Sequence, residues 1–308
     1  RCSRDWSSDV CSSDLHQPSQ GSLSAAGFRD MLNWLSQRYS ILGANEYLQK
    51  FESGTICKSD ICLSFDDALK SQYDVAIPIL EEFNLDGFFF VYSSVFTDKP
   101  DFLEIYRFFR TTEFEHVDDF YSEFFRLVEE SDRNKYRLAV KNFLNLDYLS
   151  EYNFYTENDK WFRYLRDQFL TLNKYHSIMN NMITKKNFKV DEVKKKLWMT
   201  EDNLKTIHKK GHVVGLHSYS HPTQMSRLSK EEQFNEYKKN FEHLSRIIGN
   251  RIETMSHPCG DYNNDTLQIL KEMGIKMGFR SNMGIISIKT PLEVPREDHA
   301  NIFKEMYS

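Results

Sequence analysis

Two short polar motifs, each directly after an apolar run, contain the residue types that metal-dependent hydrolysis requires. Residues 64–67 read Ser-Phe-Asp-Asp, and residues 217–221 read His-Ser-Tyr-Ser-His. Two neutral imidazoles and one carboxylate can hold a divalent metal and leave positions open for water and substrate, as in catalytic zinc sites. Such an ion lowers the pKa of its bound water and polarises a substrate carbonyl, while the second carboxylate accepts the proton. The combination predicts a hydrolase.

Each motif also has a purely structural interpretation. Adjacent aspartates are common in helix caps and turns, and histidines four residues apart share one face of a helix. Pro222 disfavours helical geometry at His221, so we expect a tight turn there. Both motifs follow a predicted strand, and this joint placement favours a site over two unrelated structural features.

Strand and helix patterns alternate in two parts of the chain, which predicts a parallel sheet with right-handed crossovers. Buried strands are indicated at residues 61–65, 87–92, 213–216 and 252–256, with short final strands at 276–280 and 292–294. Ser24, Thr200 and Ser229 are the expected helix caps, the last in a capping box with Glu232.

The C-terminal ends of parallel strands lie on one face, where ligands bind in α/β folds. Both polar motifs, the turn at Pro258 and the segment 295–299 each follow a predicted strand. We therefore expect these features to share one rim of the sheet.

The chain of 308 residues is long enough for one large domain. Residues 97–197 contain no glycine and show apolar residues at helical spacing, which predicts a helical insertion with an aromatic packing core. Residues 1–15 lack periodicity and resemble translated sequencing-adaptor read-through, so they are interpreted as a non-native leader. The catalytic domain would then be residues 16–308, with its opening strand and natural start missing.

Charge and cysteine content limit the partners that we expect. The net charge of -5 provides no basic stripe for nucleic acid, and no apolar run is long enough to span a membrane. Cys57, Cys62 and Cys259 lack metal-pair spacing and favour a reducing, cytoplasmic compartment. Loss of an export signal with the true start is the open alternative, and the oligomeric state is also open.

The motifs resemble those of the polysaccharide deacetylases, the carbohydrate esterase family 4 or NodB-homology proteins. Residues 64–68 match the family pattern Thr/Ser-Phe-Asp-Asp-Gly, except that Ala68 replaces glycine, and residues 217–221 match His-Ser/Thr-x-x-His. Residues 256–260 match the third motif, Arg-x-Pro-Tyr, only in part, because the arginine is absent and Cys259 replaces the aromatic residue. This departure is similar to the poly-N-acetylglucosamine deacetylase branch. The resemblance covers about 61–96 and 199–302 and implies a distorted (β/α) barrel.

The resemblance also implies roles for the residues of the first two motifs. Asp66 would be the general base. Asp67, His217 and His221 would bind one divalent metal ion, most often zinc, with cobalt, nickel or manganese as alternatives.

Further roles follow from the later motifs. The backbone N–H of Cys259, beside Pro258, would stabilise the oxyanion, and Arg296 or Arg280 would replace the missing arginine that steadies the base. His299 is the candidate for the histidine that protonates the departing amine, with Asp298 as its orienting carboxylate.

The implied reaction is hydrolysis of an N-acetyl amide on a sugar or surface polysaccharide, which gives a free amine and acetate. One alternative is a deformylase or deacetylase of a small nucleotide-linked or lipid-linked sugar. The other is a noncatalytic carbohydrate-binding relative, which the degenerate third motif would fit.

Overall fold

The computed structural model describes the backbone of residues 5–7 and the whole of residues 23–97, 102–150, 155–281 and 289–308. These residues form two compact units. The first contains the described residues of 1–15, 22–101 and 196–308, and the second contains those of 102–195. Each unit is described by itself.

The first unit is built on parallel strands. Their bounds are β1 (Asp5–Ser7), β2 (Ser40–Ile41), β3 (Asp60–Ile61), β4 (Leu63–Asp66), β5 (Phe88–Val91), β6 (Val213–Leu216), β7 (Thr254–Ser256), β8 (Met277–Phe279) and β9 (Arg296–Asp298). Within the described residues, seven of them form one sheet in the order β8-β7-β6-β5-β4-β1-β9, and β2 pairs with β3. Every pairing is parallel, as the alternating sequence pattern predicts.

The two edges of the main sheet approach each other. Phe279 in β8 forms an isolated parallel bridge with Val294, two residues before β9. The N–H of Arg280 donates to the carbonyl of Val294 at 2.8 Å, and the N–H of Val294 donates to the carbonyl of Gly278 at 2.8 Å. The sheet therefore curls, which confirms the predicted distorted (β/α) barrel.

Strand β1 lies in residues 1–15, the leader that we expected to lie outside the fold. Its backbone pairs with residues 63–64 of β4 on one side and with residues 296–298 of β9 on the other. Sequence patterns gave no sign of a strand in this leader, and we expected the opening strand to be missing. Backbone pairing explains the placement, because β4 and β9 both present unpaired strand edges, and any extended backbone can satisfy them.

The helices begin and end largely where the caps predict. Their bounds are α1 (Ala25–Ser36), α2 (Ala44–Ser53), α3 (Ile77–Glu82), α4 (Leu103–Thr112), α5 (Val117–Ser131), α6 (Arg133–Leu144), α7 (Glu157–Tyr164), α8 (Leu172–Lys185), α9 (Val190–Leu197), α10 (Glu201–Lys209), α11 (Lys230–Ile248), α12 (Asn264–Glu272) and α13 (His299–Met306). Ser24 caps α1, while Thr200 and Ser229 form capping boxes at α10 and α11. No helix in the described part of the chain is both long and apolar enough to cross a membrane.

Strands β4 and β5 lie at the centre of the apolar core of the first unit. The rings of Phe65 and Phe89 stack with centroids 4.7 Å apart, and Phe28 of α1 meets Phe65 edge-on at 6.2 Å. All three side chains are buried. Packing of apolar side chains therefore fixes β4, the strand that ends at the first polar motif, and its neighbour β5.

The second unit has its own aromatic core. Phe120 and Phe124 of α5 pack against Phe162 of α7, with ring centroids 5.4 and 4.9 Å apart. The Tyr121 hydroxyl donates a hydrogen bond to the buried Asp159 carboxylate. The role of this segment as an insertion within one catalytic domain stays a prediction.

A buried histidine joins the beginnings of two central strands. His212, directly before β6, accepts a hydrogen bond at Nδ1 from the N–H of Gly87, directly before β5, at 3.1 Å. Its ring packs edge-on against Phe89. Burial above all lowers the pKa of His212 to about 4, so the folded protein holds this imidazole neutral.

We predict that His212 makes the fold sensitive to acid. The unfolded chain takes up a proton below pH 6.5 while the folded protein resists until about pH 4, so stability falls as the pH falls through this window. A shift of this size corresponds to about 3 kcal/mol of unfolding free energy. Urea unfolding of His212→Asn, whose amide oxygen can still accept from Gly87, should lose less stability between pH 7 and pH 4.5 than the parent.

The control for this prediction is His208→Asn, at a partly exposed histidine in α10. This variant should keep the pH dependence of the parent. An unchanged slope in His212→Asn would contradict the assignment.

Candidate active site

Three side chains from the two polar motifs meet at the C-terminal ends of β4 and β6. The Oδ1 atom of Asp67 lies 3.5 Å from Nε2 of His217 and 3.4 Å from Nε2 of His221. All three residues are buried. Among the residues that the structure describes, they are the one group of histidine, cysteine and acidic side chains arranged to hold a metal ion.

Two of the three distances between these atoms fit a tetrahedral ion. Metal bonds of about 2.1 Å to nitrogen and oxygen place neighbouring ligand atoms about 3.4 Å apart in a tetrahedron. The two distances from Asp67 to the imidazole nitrogens agree with this edge length. The donor set of two imidazoles and one carboxylate is also one that catalytic zinc sites use.

A hydrogen bond determines which nitrogen of His217 faces Asp67. Nδ1 lies 2.9 Å from the carbonyl oxygen of Ser256 at the end of β7. Because a carbonyl only accepts, Nδ1 carries the proton and Nε2 keeps its lone pair. This arrangement leaves Nε2 ready to ligate a cation.

Left-handed backbone occurs repeatedly in the loops of the site. Positive φ angles are found at Asp67 (75°), Ala68 (55°), Ser218 (62°), His221 (57°) and Cys259 (52°). Residues other than glycine rarely adopt this conformation, and it persists where the surrounding structure fixes it. The turn at His221 is therefore not helical, which confirms the effect expected of the following proline.

Asp66 has a different set of partners from its neighbour. Nη1 of Arg296 donates to Oδ1 of Asp66 at 2.9 Å, and Nη2 donates to Oδ2 at 2.7 Å. Ser256 Oγ donates to Oδ2 at 3.2 Å and accepts from Nη2 of Arg296 at 2.8 Å. Nη1 of Arg296 also lies 3.2 Å from the hydroxyl of Ser64. The fork of Arg296 thus binds both oxygens of Asp66.

This environment keeps Asp66 ionised. Burial by itself raises the pKa of the Asp66 carboxyl, but the nearby charge of Arg296 and the hydrogen bonds from Arg296 and Ser256 outweigh it. The net effect lowers the pKa of Asp66 to about 2. Of the two arginines considered from the sequence, Arg296 contacts Asp66, while the carbonyl of Arg280 accepts from Nε of Arg296 at 2.8 Å.

The structure places two other predicted residues at the start of the last helix. Asp298 caps α13 by accepting from the N–H of Ala300 at 2.8 Å. Its Oδ1 atom also lies 3.5 Å from Nδ1 of His299, which is buried. The two predicted residues are therefore neighbours at the start of α13.

The partial third motif forms a single 3₁₀ turn, Pro258–Gly260, in which Pro258 is buried and Cys259 is exposed. The preceding His257 is buried, stacks on Tyr262 with centroids 4.1 Å apart, and donates from Nε2 to the carbonyl of Leu292 at 2.8 Å. Burial above all lowers the pKa of His257 to about 3, so the ring is neutral. These contacts fix the base of the turn.

Sequence reasoning missed four residues that hold the site. Ser64 and Ser256 bind the guanidinium of Arg296. Glu236 and Asn240 of α11 bind the backbone of residues 217–221, which we call the histidine loop. Ser256 had a usable signal, because it ends a predicted strand directly before the third motif. The residues on α11 had none, since polar side chains on a long amphipathic helix are expected at its solvated face.

Comparison with known proteins agrees with this description. The polysaccharide deacetylase family model matches residues 168–278, which include both histidines but not the aspartate pair. A search of curated proteins finds no match.

Solved structures share the fold at low sequence identity. A deacetylase from Streptococcus pyogenes, PplD in complex with acetate, is 15% identical with a TM-score of 0.54, over 96% of this chain and 91% of that one. IcaB from Ammonifex degensii is 13% identical with a TM-score of 0.55, over 96% and 91% of the two chains. A de-N-acetylase from Aggregatibacter actinomycetemcomitans is 15% identical with a TM-score of 0.55, over 97% and 95%. The family match and the shared fold confirm the resemblance to polysaccharide deacetylases.

The left-handed backbone at Ala68 leads to a stability prediction. The family pattern has glycine here, and glycine adopts φ 55° without the steric cost of a Cβ. Ala68→Gly should leave the unfolding free energy within about 0.5 kcal/mol of the parent or raise it.

The matched control is Ala76→Gly, at an equally buried alanine with right-handed φ of -68°. This variant should lose about 1 kcal/mol or more, because glycine is unfavourable in helical backbone. Equal losses in the two variants, measured by urea unfolding, would show that the backbone at Ala68 is unstrained.

Proposed function

We propose that this chain is a metal-dependent hydrolase that removes N-acetyl groups from a sugar or surface polysaccharide, in the manner of a polysaccharide deacetylase. One observation carries the proposal. The candidate ligand atoms of Asp67, His217 and His221 all lie within 4.8 Å of one another, while the adjacent Asp66 is bound by Arg296. A carbohydrate-binding protein would have no need for an ionised carboxylate held beside a group suited to a metal.

In this proposal Asp67, His217 and His221 hold one divalent ion. A donor set of two nitrogen atoms and one oxygen atom favours zinc, with cobalt, nickel and manganese as alternatives. When bound, the ion would lower the pKa of a water molecule and polarise the amide carbonyl. The Ser256 carbonyl supports this assignment, because it fixes the tautomer of His217.

Asp66 acts as the general base. Its carboxylate is ionised at neutral pH, since its pKa is about 2, and it lies beside the three candidate ligands, with Oδ2 3.8 Å from Nε2 of His217. Arg296 and Ser256 bind the carboxylate and so hold it in one orientation. The proton removed from water would pass to Asp66.

The remaining roles belong to residues of the later motifs. His299 would protonate the departing amine, with the neighbouring Asp298 as its orienting carboxylate. The N–H of Cys259, in the turn that begins at Pro258, would donate to the oxyanion. Poly-N-acetylglucosamine is the substrate that we propose first, because the deacetylases of that branch lack the same arginine in their third motif.

The experiment that tests the function is acetate release from a panel of N-acetylated glycans, with and without a chelator. The expected result is release from at least one glycan, loss of release after chelation, and recovery on addition of zinc or cobalt. Activated nucleotide-linked and lipid-linked sugars belong in the panel to distinguish the alternative deacetylase or deformylase. Glycan binding without release in the presence of metal would identify a noncatalytic relative and contradict the proposal.

The two neighbouring aspartates should have separable roles. Asp66→Asn should lower turnover by about 10³-fold or more while the protein still binds one equivalent of metal. Asp67→Ala and His221→Ala should instead lose the metal, measured by elemental analysis after dialysis. The exposed Asp202→Asn serves as the control. Full activity in Asp66→Asn would remove Asp66 from the mechanism, and retained metal in Asp67→Ala would remove Asp67 from the ligand set.

Arg296 should hold Asp66 in position for the reaction. Lysine keeps the positive charge but cannot bind both oxygens of Asp66 and the hydroxyl of Ser256 together. Because Arg296 contacts both oxygens of Asp66, Arg296→Lys should reduce kcat while the protein still binds one equivalent of metal. An unchanged kcat in this variant would show that the contact does not contribute to turnover.

A further inference from the structure

The loop between the two imidazoles has a backbone that needs external support. Ser218 and His221 both have φ near 60°, with Tyr219 and Ser220 between them. Two left-handed residues this close together are unfavourable for side chains of this kind, so the conformation depends on the contacts that surround it. Within the described residues, several of these contacts come from one helix, α11.

Glu236 of α11 accepts three hydrogen bonds from this loop. Its Oε2 atom accepts from the N–H of Tyr219 at 3.0 Å and from the N–H of Ser220 at 2.8 Å. Its Oε1 atom accepts from the hydroxyl of Ser220 at 2.8 Å. Successive backbone N–H groups form a small concavity that binds an anion, and hydrogen bonds to an ionised acceptor are strong. The carboxylate therefore fixes the two residues that separate the histidines.

Asn240, one helical turn further along α11, fixes the beginning of the same loop. Its Oδ1 atom accepts from the N–H of His217 at 3.0 Å. Its Nδ2 atom donates to the carbonyl of Val91 at 2.9 Å and to the hydroxyl of Ser93 at 3.0 Å. The side chain is fully buried. Glu236 and Asn240, four residues apart on one helix face, thus hold the loop at two points.

The metal-ligand spacing depends on this support because both imidazoles belong to the loop. The distances from Nε2 of His217 and of His221 to Asp67 are set by where the loop places each Cα. A functional constellation tolerates displacements of only about 0.5 Å. If the loop backbone relaxed towards common φ values, the change in the backbone torsion angles would displace the imidazole of His221. Glu236 contacts the backbone of the loop and the hydroxyl of Ser220, so it affects the ligands by fixing the position of the loop.

We propose that Glu236 is a positioning residue that sets the metal affinity of the Asp67–His217–His221 group, with Asn240 as the second anchor of the loop. The inference rests on the proposed function in one respect, namely that these three residues bind a metal ion. The inference predicts that substitution of Glu236 weakens metal binding although the three ligand residues are unchanged.

The test compares zinc affinity in variants of α11, measured on the whole protein by competition with a chromophoric chelator. Glu236→Ala removes all three hydrogen bonds and should weaken zinc binding by about 10–100-fold, the range typical of residues that orient metal ligands. Glu236→Gln keeps one amide oxygen as acceptor and should show a smaller loss, about 3–10-fold.

Glu232→Gln is the matched control on the same helix. Glu232 accepts from the N–H and the hydroxyl of Ser229, both at 2.8 Å, so it makes the same kinds of hydrogen bond at the start of α11. Its zinc affinity should stay within about threefold of the parent. Urea unfolding of the metal-free variants separates a change in affinity from a change in folding, and Glu236→Gln provides the measurement if Glu236→Ala does not fold.

Zinc affinity within about threefold of the parent in both Glu236 variants would overturn the inference. An equal loss in Glu232→Gln would also overturn it, because the effect would then come from the helix as a whole. A parent protein that binds no zinc, cobalt, nickel or manganese would be a different result, since it would contradict the proposed metal site as well.

Discussion

The salt bridge between Arg296 and Asp66 links the curl of the sheet to the chemistry of the site. Arg296 begins the edge strand β9, yet its guanidinium reaches Asp66 at the end of β4, Ser256 at the end of β7 and the carbonyl of Arg280 after β8. These contacts require the strand ends to surround one point, which a flat sheet would not allow. A buried guanidinium without such partners would be strongly unfavourable, so the fold and the ion pair depend on each other.

The same ion pair divides two chemically identical neighbours. Arg296 engages both oxygens of Asp66, while Oδ1 of Asp67 lies closest to the imidazole nitrogens. A bidentate guanidinium competes with a metal for the same carboxylate oxygens. The two aspartates therefore differ in their partners, as the separate roles that we propose for them require. Because both residues are aspartates, the difference between them comes from their two sets of partners.

Left-handed backbone at several positions indicates that the loops of the site are held by the scaffold. Asp67 donates from its N–H to the carbonyl of Phe90, and the histidine loop is bound by Glu236 and Asn240 of α11. Left-handed backbone of this kind persists where several contacts from neighbouring elements fix it. Loops that are preorganised in this way reduce the cost of binding.

The amino-acid sequence by itself determined the alternation of strands and helices, the caps at Ser24, Thr200 and Ser229, and the identity of the two polar motifs. These features depend on local hydrophobic spacing and on side-chain bonds to nearby backbone, both of which are visible over a few residues. Tertiary structure alone decided that Arg296, and not Arg280, binds Asp66, and that residues 5–7 supply a strand. It also decided which residues of α11 hold the loop. The physical reason is that these contacts join positions far apart in the chain, so their formation depends on how the sheet curls and on which backbone edges and charges remain to be satisfied.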